Sequence, residues 1–144
     1  MRLRAPEPHE APALTEMVMR SKASWGYDAA FMEACRDVLT VHADAWGLPQ
    51  LAEEDQILGY VEIHPDELKL NHLFIAPEAQ GKGVGSRLLS WAMDTARAEA
   101  LPYLTLVADP NAEPFYARYG WEIVGTTPSE VAKDRPLSVM KFTF

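Results

Sequence analysis

Residues 80–85 read Gln80-Gly81-Lys82-Gly83-Val84-Gly85, and their types and spacing suit them to hold an anion. Three glycines within five positions let the backbone approach a ligand closely, since none carries a Cβ. An amphipathic helix pattern begins at Val84, so its unpaired N–H groups and positive dipole end point back into the loop. Lys82 supplies a counter-charge, and the whole favours a pyrophosphate or another polyanion. Two common glycine loops fit badly. A P-loop needs Gly-x-x-x-x-Gly-Lys and then Ser or Thr, but Ala76 stands at the first glycine and Gly83 at the hydroxyl. A dinucleotide loop needs Gly-x-Gly-x-x-Gly directly after a strand. Counted from Gly81 it ends on Ser86, counted from Gly83 on Leu88, and the apolar run before it stops early, at Ile75.

A second segment carries chemistry: Asn111-Ala112-Glu113-Pro114-Phe115-Tyr116-Ala117-Arg118-Tyr119-Gly120-Trp121. The loop, with Gln80, Gly83 and Gly85 at fixed positions of Gln/Arg-x-x-Gly-x-Gly/Ala, resembles the acyl-CoA loop of the GNAT N-acetyltransferases. Leu73-Phe74-Ile75-Ala76-Pro77 looks like the end of that family's fourth strand. The downstream segment resembles its Asn…Tyr-x-x-x-Gly-Phe motif, with Trp121 for Phe. The resemblance is detailed over residues 68–125 and looser elsewhere.

It implies a transfer of acetyl from acetyl-CoA to a primary amine, small molecule or peptide, by direct attack in a ternary complex. The residues it assigns to the co-substrate are the backbones of Leu73, Phe74 and Ile75, the loop Gln80, Gly81, Lys82, Gly83, Val84, Gly85 and Ser86, and Asn111 and Tyr116. It also implies that the strand over 68–75 splays from the one over 103–107. Tyr116 aligns with the tyrosine that protonates the leaving sulfur, and a phenol is a neutral donor at pH 7. The competing reading packs Tyr116 with Phe115 and Tyr119 as aromatic core. Asn111 resembles a CoA-contacting asparagine and is equally suited to cap the short helix that follows.

The base is less defined. Some family members carry a glutamate four residues before the position of Leu73; here that place holds Lys69. His72 titrates near neutrality and could take a proton directly or through water, although a strand histidine is ordinarily a satisfied, half-buried residue. Glu62 is the other candidate and reads as a solvated strand carboxylate. Asn71 can orient a substrate but cannot act as a base, and an amine that arrives deprotonated needs none. Direct attack by the amine needs no nucleophilic side chain, so Cys35, in a helical apolar pattern, is expected in the core. Trp25, Gly26 and Tyr27 could bound an amine pocket by cation–π contact or simply anchor two helices. His9, His42 and His64 have no metal-ligand spacing, and no metal is expected.

The elements that must position these groups follow from periodicity. Strands are expected over 3–5, 48–52, 57–63, 68–75, 103–107, 121–124 and 137–144. Helices are expected over 11–24, from an Asp28 cap through Val38, over 84–100, and briefly after Asn111, where Pro114 suits a first turn. This order is mixed α/β. It agrees with the GNAT fold, a mixed, mostly antiparallel sheet of seven strands flanked by four helices.

At 144 residues the chain suits one domain, 1–144. No apolar run reaches the ~18–20 residues that span a bilayer. The first residues meet charge and proline before any apolar stretch, and a lone cysteine forms no internal disulfide. These features point to the cytoplasm. The net charge of −8 argues against non-specific nucleic-acid binding and is mildly consistent with a cationic amine. A homodimer through exposed sheet edges is expected only by analogy with the fold. The alternative function is a CoA-binding sensor or regulatory module without turnover. A nucleotide-binding module is weakened by the loop mismatches.

Overall fold

Pro6 and Pro8 stop the first strand, β1 (Arg2–Arg4), because neither can donate to a ladder. Helix α1 (Ala11–Ala23) follows and buries Leu14, Met17, Val18 and Ser21, the face their spacing predicts. Asp28 opens α2 (Ala29–Leu39), its carboxylate accepting from the Phe31 N–H at 2.8 Å. Cys35 is buried on this helix. The computed structural model describes residues 1–144.

Strands β2 (Leu48–Glu53) and β3 (Ile57–His64) form the hairpin expected around the acidic turn. Leu68 does not begin the next strand. A helical turn over Pro65–Glu67 leaves it left-handed at φ 56, with its N–H on the Pro65 carbonyl, and β4 spans Lys69–Ile75. The chain continues through α3 (Val84–Ala98), β5 (Tyr103–Ala108), α4 (Glu113–Arg118), β6 (Glu122–Pro128) and β7 (Pro136–Thr143). Strand β6 runs past the expected end at Val124. A register shift between Ile123 and Gly125 lets the pairing with β7 continue past that point.

Seven strands make one sheet in the order β1-β2-β3-β4-β5-β7-β6, and only β4 and β5 are parallel. Four helices flank it, so the mixed, mostly antiparallel architecture is as expected. Alternation on β3 sorts the two faces. Gly59, Val61 and Ile63 meet α3, where a Cβ at Gly59 would come within 2.8 Å of Leu88. Leu88 and Leu89 are buried there, each such leucine contributing ~1.5–3 kcal/mol. Tyr60, Glu62 and His64 occupy the other face, beneath α1. No helix is long and apolar enough to cross a membrane.

The feature that shapes the site is a missing ladder. Strands β4 and β5 pair only at Lys69 and Thr105, where the Thr105 N–H reaches the Leu68 carbonyl at 2.8 Å. Beyond that rung they part, and the β5-facing backbone of β4 is left without a neighbouring strand.

Candidate active site

The glycine loop follows β4 through one helical turn, Pro77–Ala79, and opens α3. Gly81 and Gly83 stand at φ 79 and 81, a backbone hand that L side chains rarely adopt. A Cβ at either would meet nothing within 4 Å, so conformation rather than crowding selects glycine. Gly83 is the N-cap of α3 and has no side chain to satisfy the first turn, leaving its amides free for a ligand. Gly81, Lys82 and Gly83 are exposed, Val84 is buried, and Gly85 and Ser86 are half-buried.

Side chains tie the loop down on both sides. Gln80 donates to Ser24 at 3.2 Å and to the Ile75 carbonyl at 3.4 Å, while Arg20 pairs with Glu78 at 3.1 Å. On the far side Ser86 bonds the Tyr119 hydroxyl, and Gly85 faces the Phe115 ring, where a Cβ would lie at 3.5 Å. Loop and tyrosine helix, distant in sequence, are therefore neighbours. Leu73, Phe74 and Ile75 are half-buried at the parting of β4 from β5.

Tyr116 is buried, with its ring edge-on to Phe115 and Trp121. Burial alone raises its phenol above the ordinary value, and no protein group bonds the hydroxyl. It is thus a neutral donor without a protein partner, held by aromatic packing with Phe115 and Trp121. Asn111 is not a helix cap. Ala112 takes that position without a side-chain bond, and Asn111 donates instead to Asp109 at 2.9 Å and Tyr27 at 3.4 Å.

Glu62 overturns its description as a solvated carboxylate. Its side chain is 5% exposed; it accepts from the Tyr60 hydroxyl at 2.6 Å and contacts His64. Period-two alternation separates two faces of β3 but could not say that α1 covers the one that carries Glu62. His72 lies beside it, Nδ1 4.0 Å from the Glu62 carboxylate and Nε2 3.4 Å from the Leu39 carbonyl. Nδ1 is buried without a hydrogen bond, and desolvation holds the ring below its ordinary pKa, with Glu62 opposing. The histidine is therefore neutral at pH 7. His72 packs at the end of α2 and Tyr116 against Phe115 and Trp121, and no hydrogen bond or ring contact joins the two.

Sequence reasoning missed Asp109, Lys22 and Arg135, which meet Tyr27 where α1 ends. The polar residue directly after a buried strand was the available signal. Trp25 is 46% exposed and anchors nothing; Tyr27, stacked on Phe31, fills that role.

A family model described as "Acetyltransferase (GNAT) domain" matches residues 18–141. The chain belongs to the GNAT acetyltransferase family. It is 34% identical over 84 residues to the uncharacterized N-acetyltransferase YhfO of Bacillus subtilis (strain 168). That match takes in 50% of this chain and 56% of the relative, so the chain spans about half the length of the curated relative it matches. A GCN5-related N-acetyltransferase structure from Rhodopseudomonas palustris superposes with a TM-score of 0.85 at 19% identity, over 99% of this chain and 95% of that one. PaiA N-acetyltransferase from Thermoplasma acidophilum, solved in complex with coenzyme A, gives 0.74 at 16% identity, over 99% and 98%. At these identities the structural likeness is one of fold.

Proposed function

We propose that the protein transfers acetyl from acetyl-CoA to a primary amine by direct attack within a ternary complex. The observation that carries this is the single rung between β4 and β5, which leaves a backbone-lined opening beside the glycine loop. The binding of coenzyme A by the Thermoplasma relative supports the same assignment here. Gly81, Lys82, Gly83 and the first amides of α3 hold the pyrophosphate, and the freed backbone of Leu73, Phe74 and Ile75 orients the pantetheine amides. Gln80, Val84, Gly85 and Ser86 shape the loop, and Asn111 lies at its β5 side.

Acetyl-CoA supplies the thioester. The amine nitrogen forms the new C–N bond, the C–S bond breaks, and Tyr116 gives its proton to the departing thiolate. His72 takes the proton lost by the amine through an intervening water or a ring reorientation, since its Nδ1 is closed off. Release of thiol from acetyl-CoA across a primary-amine panel tests the activity. Amine-dependent release, lost in Tyr116→Phe, is expected. The second reading, a CoA-binding module without turnover, draws on the burial of both candidate bases. Tight acetyl-CoA binding with no release for any amine would establish it.

A further inference from the structure

Two cations meet one carboxylate where α1, the end of β5 and the β6–β7 loop converge. Lys22 Nζ lies 2.6 Å from Asp109 Oδ2, and the Arg135 guanidinium 3.7 Å from the same oxygen. The Tyr27 hydroxyl donates to that oxygen at 2.7 Å and accepts from Arg135 at 2.6 Å. The other carboxylate oxygen is taken by the backbone and side-chain amides of Asn111, both at 2.9 Å. Asp109 is saturated, and one positive charge is left over. Glu130 and Asp134, on the loop of Arg135, pair with neither cation, and Asp28 is committed to capping α2. The side chains of Lys22 and Arg135 are 13% and 25% exposed, so the surplus charge is mostly withdrawn from water, where a lone cation is costly.

The position matters as much as the charge. On β5, Leu104, Leu106 and Ala108 enter the core, so Thr105 and Val107 face the opposite side. Thr105 pairs with Lys69, which pairs with His64, so this is the face of Glu62 and His72, where α1 and α2 lie. Val107 is 54% exposed there and pairs with Val139. Tyr27 and Phe31 stack at 4.6 Å, and Arg135 lies 5.2 and 5.5 Å from their rings. Asp109 directly follows β5, and the end of α1 is tied to the glycine loop through Gln80 and Ser24. The cluster therefore stands at the mouth of the β4–β5 opening.

We propose that this is the acceptor subsite and that it selects a primary amine carrying a carboxylate on an apolar body, the amino-carboxylate class. The inference rests on the acetyl-transfer reading. The net charge of −8 attracts polyamines at a distance, but contacts are governed by the local sign within a Debye length of ~8 Å. The Arg135 fork suits a carboxylate in bidentate fashion, Lys22 adds a second donor, and the valine floor takes the apolar body.

The test is thiol release from acetyl-CoA with matched acceptors: phenylalanine against phenethylamine, leucine against isopentylamine, and spermidine. The carboxylate member of each pair is expected to have a kcat/KM at least about tenfold higher, the factor that ~1.4 kcal/mol provides. Arg135→Gln should bring the paired values together, and Arg135→Lys should keep part of the gap, which a mere folding defect would not do. Equal or better turnover of phenethylamine or spermidine overturns the inference and leaves the acetyl-transfer reading standing. Acetyl-CoA binding by titration without turnover of either amino acid overturns it as well. Absence of both binding and turnover overturns the underlying reading with it.

Discussion

Tyr116 is a phenol whose burial raises its pKa and whose hydroxyl no protein group engages. Under the proposed transfer, a thiolate leaving beside it would find a proton already in place. Tyr116→Phe is expected to lower kcat by about a hundredfold, with KM for acetyl-CoA within about twofold. Unchanged kcat in steady-state assays would return Tyr116 to the aromatic core. Gly83 is held at φ 81, which a β-branched residue cannot adopt without strain. Gly83→Val should weaken acetyl-CoA binding more than about tenfold by calorimetry, through a misplaced loop costing on the order of 1–3 kcal/mol. The positions of the loop and of the tyrosine helix were legible because each motif is local, and the structure sets them side by side. Glu62 was not, because strand alternation reports two faces without naming the covered one. Truncating it to alanine leaves the Tyr60 hydroxyl without an acceptor in the core. Glu62→Ala is expected to cost about 3 kcal/mol in urea unfolding, and a loss under about 0.5 kcal/mol, the range of a surface change, would mean that the carboxylate is solvated after all.

Helix α3 ends as helices commonly do, but with an unusual residue. Ala100 stands at φ 57 while Leu101 donates to the Ala96 carbonyl at 3.0 Å, a left-handed closure that glycine normally provides. Ala100→Gly should therefore stabilise the protein by roughly 0.5–1 kcal/mol, raising Tm by about 2–3 °C. A lower Tm would show that the turn is not strained. The sequence placed this helix a little long because nothing in Ala98-Glu99-Ala100 breaks a helical pattern. Strand order and helix count were legible, since each element carries its own periodicity. The parting of β4 from β5 has no such signature: Leu70-Asn71-His72-Leu73-Phe74-Ile75 would serve equally in a paired strand. Only the family resemblance anticipated it. Likewise Lys22, Tyr27, Asp109 and Arg135 come from four places in the chain, and no spacing rule connects them.

Across the whole molecule, several carboxylates are held low by cations. Arg4 keeps Glu10 at about 2, Arg4 and Arg2 keep Glu53 at about 2, and Asp109 is also at about 2, where Lys22 and Tyr27 overcome its burial. Their ordinary values are 4.5, 4.5 and 3.8, so their stabilisation is complete above about pH 5 and lost as pH falls toward 2. His72, buried and neutral, acts in the same direction, because the unfolded chain takes up its proton first as pH falls through 6.5. The urea midpoint should fall steadily from about pH 6.5 downward, and Asp109→Asn should flatten the part below about pH 4. A midpoint constant from pH 7 to 3 would refute this linkage. The acetyl-CoA assignment rests on the opening that β4, β5 and the glycine loop build together. Isothermal titration with acetyl-CoA, free CoA and ATP tests it most directly. Saturable binding of both CoA species at one site, without ATP binding, is the predicted result; no binding of either CoA species would contradict the account.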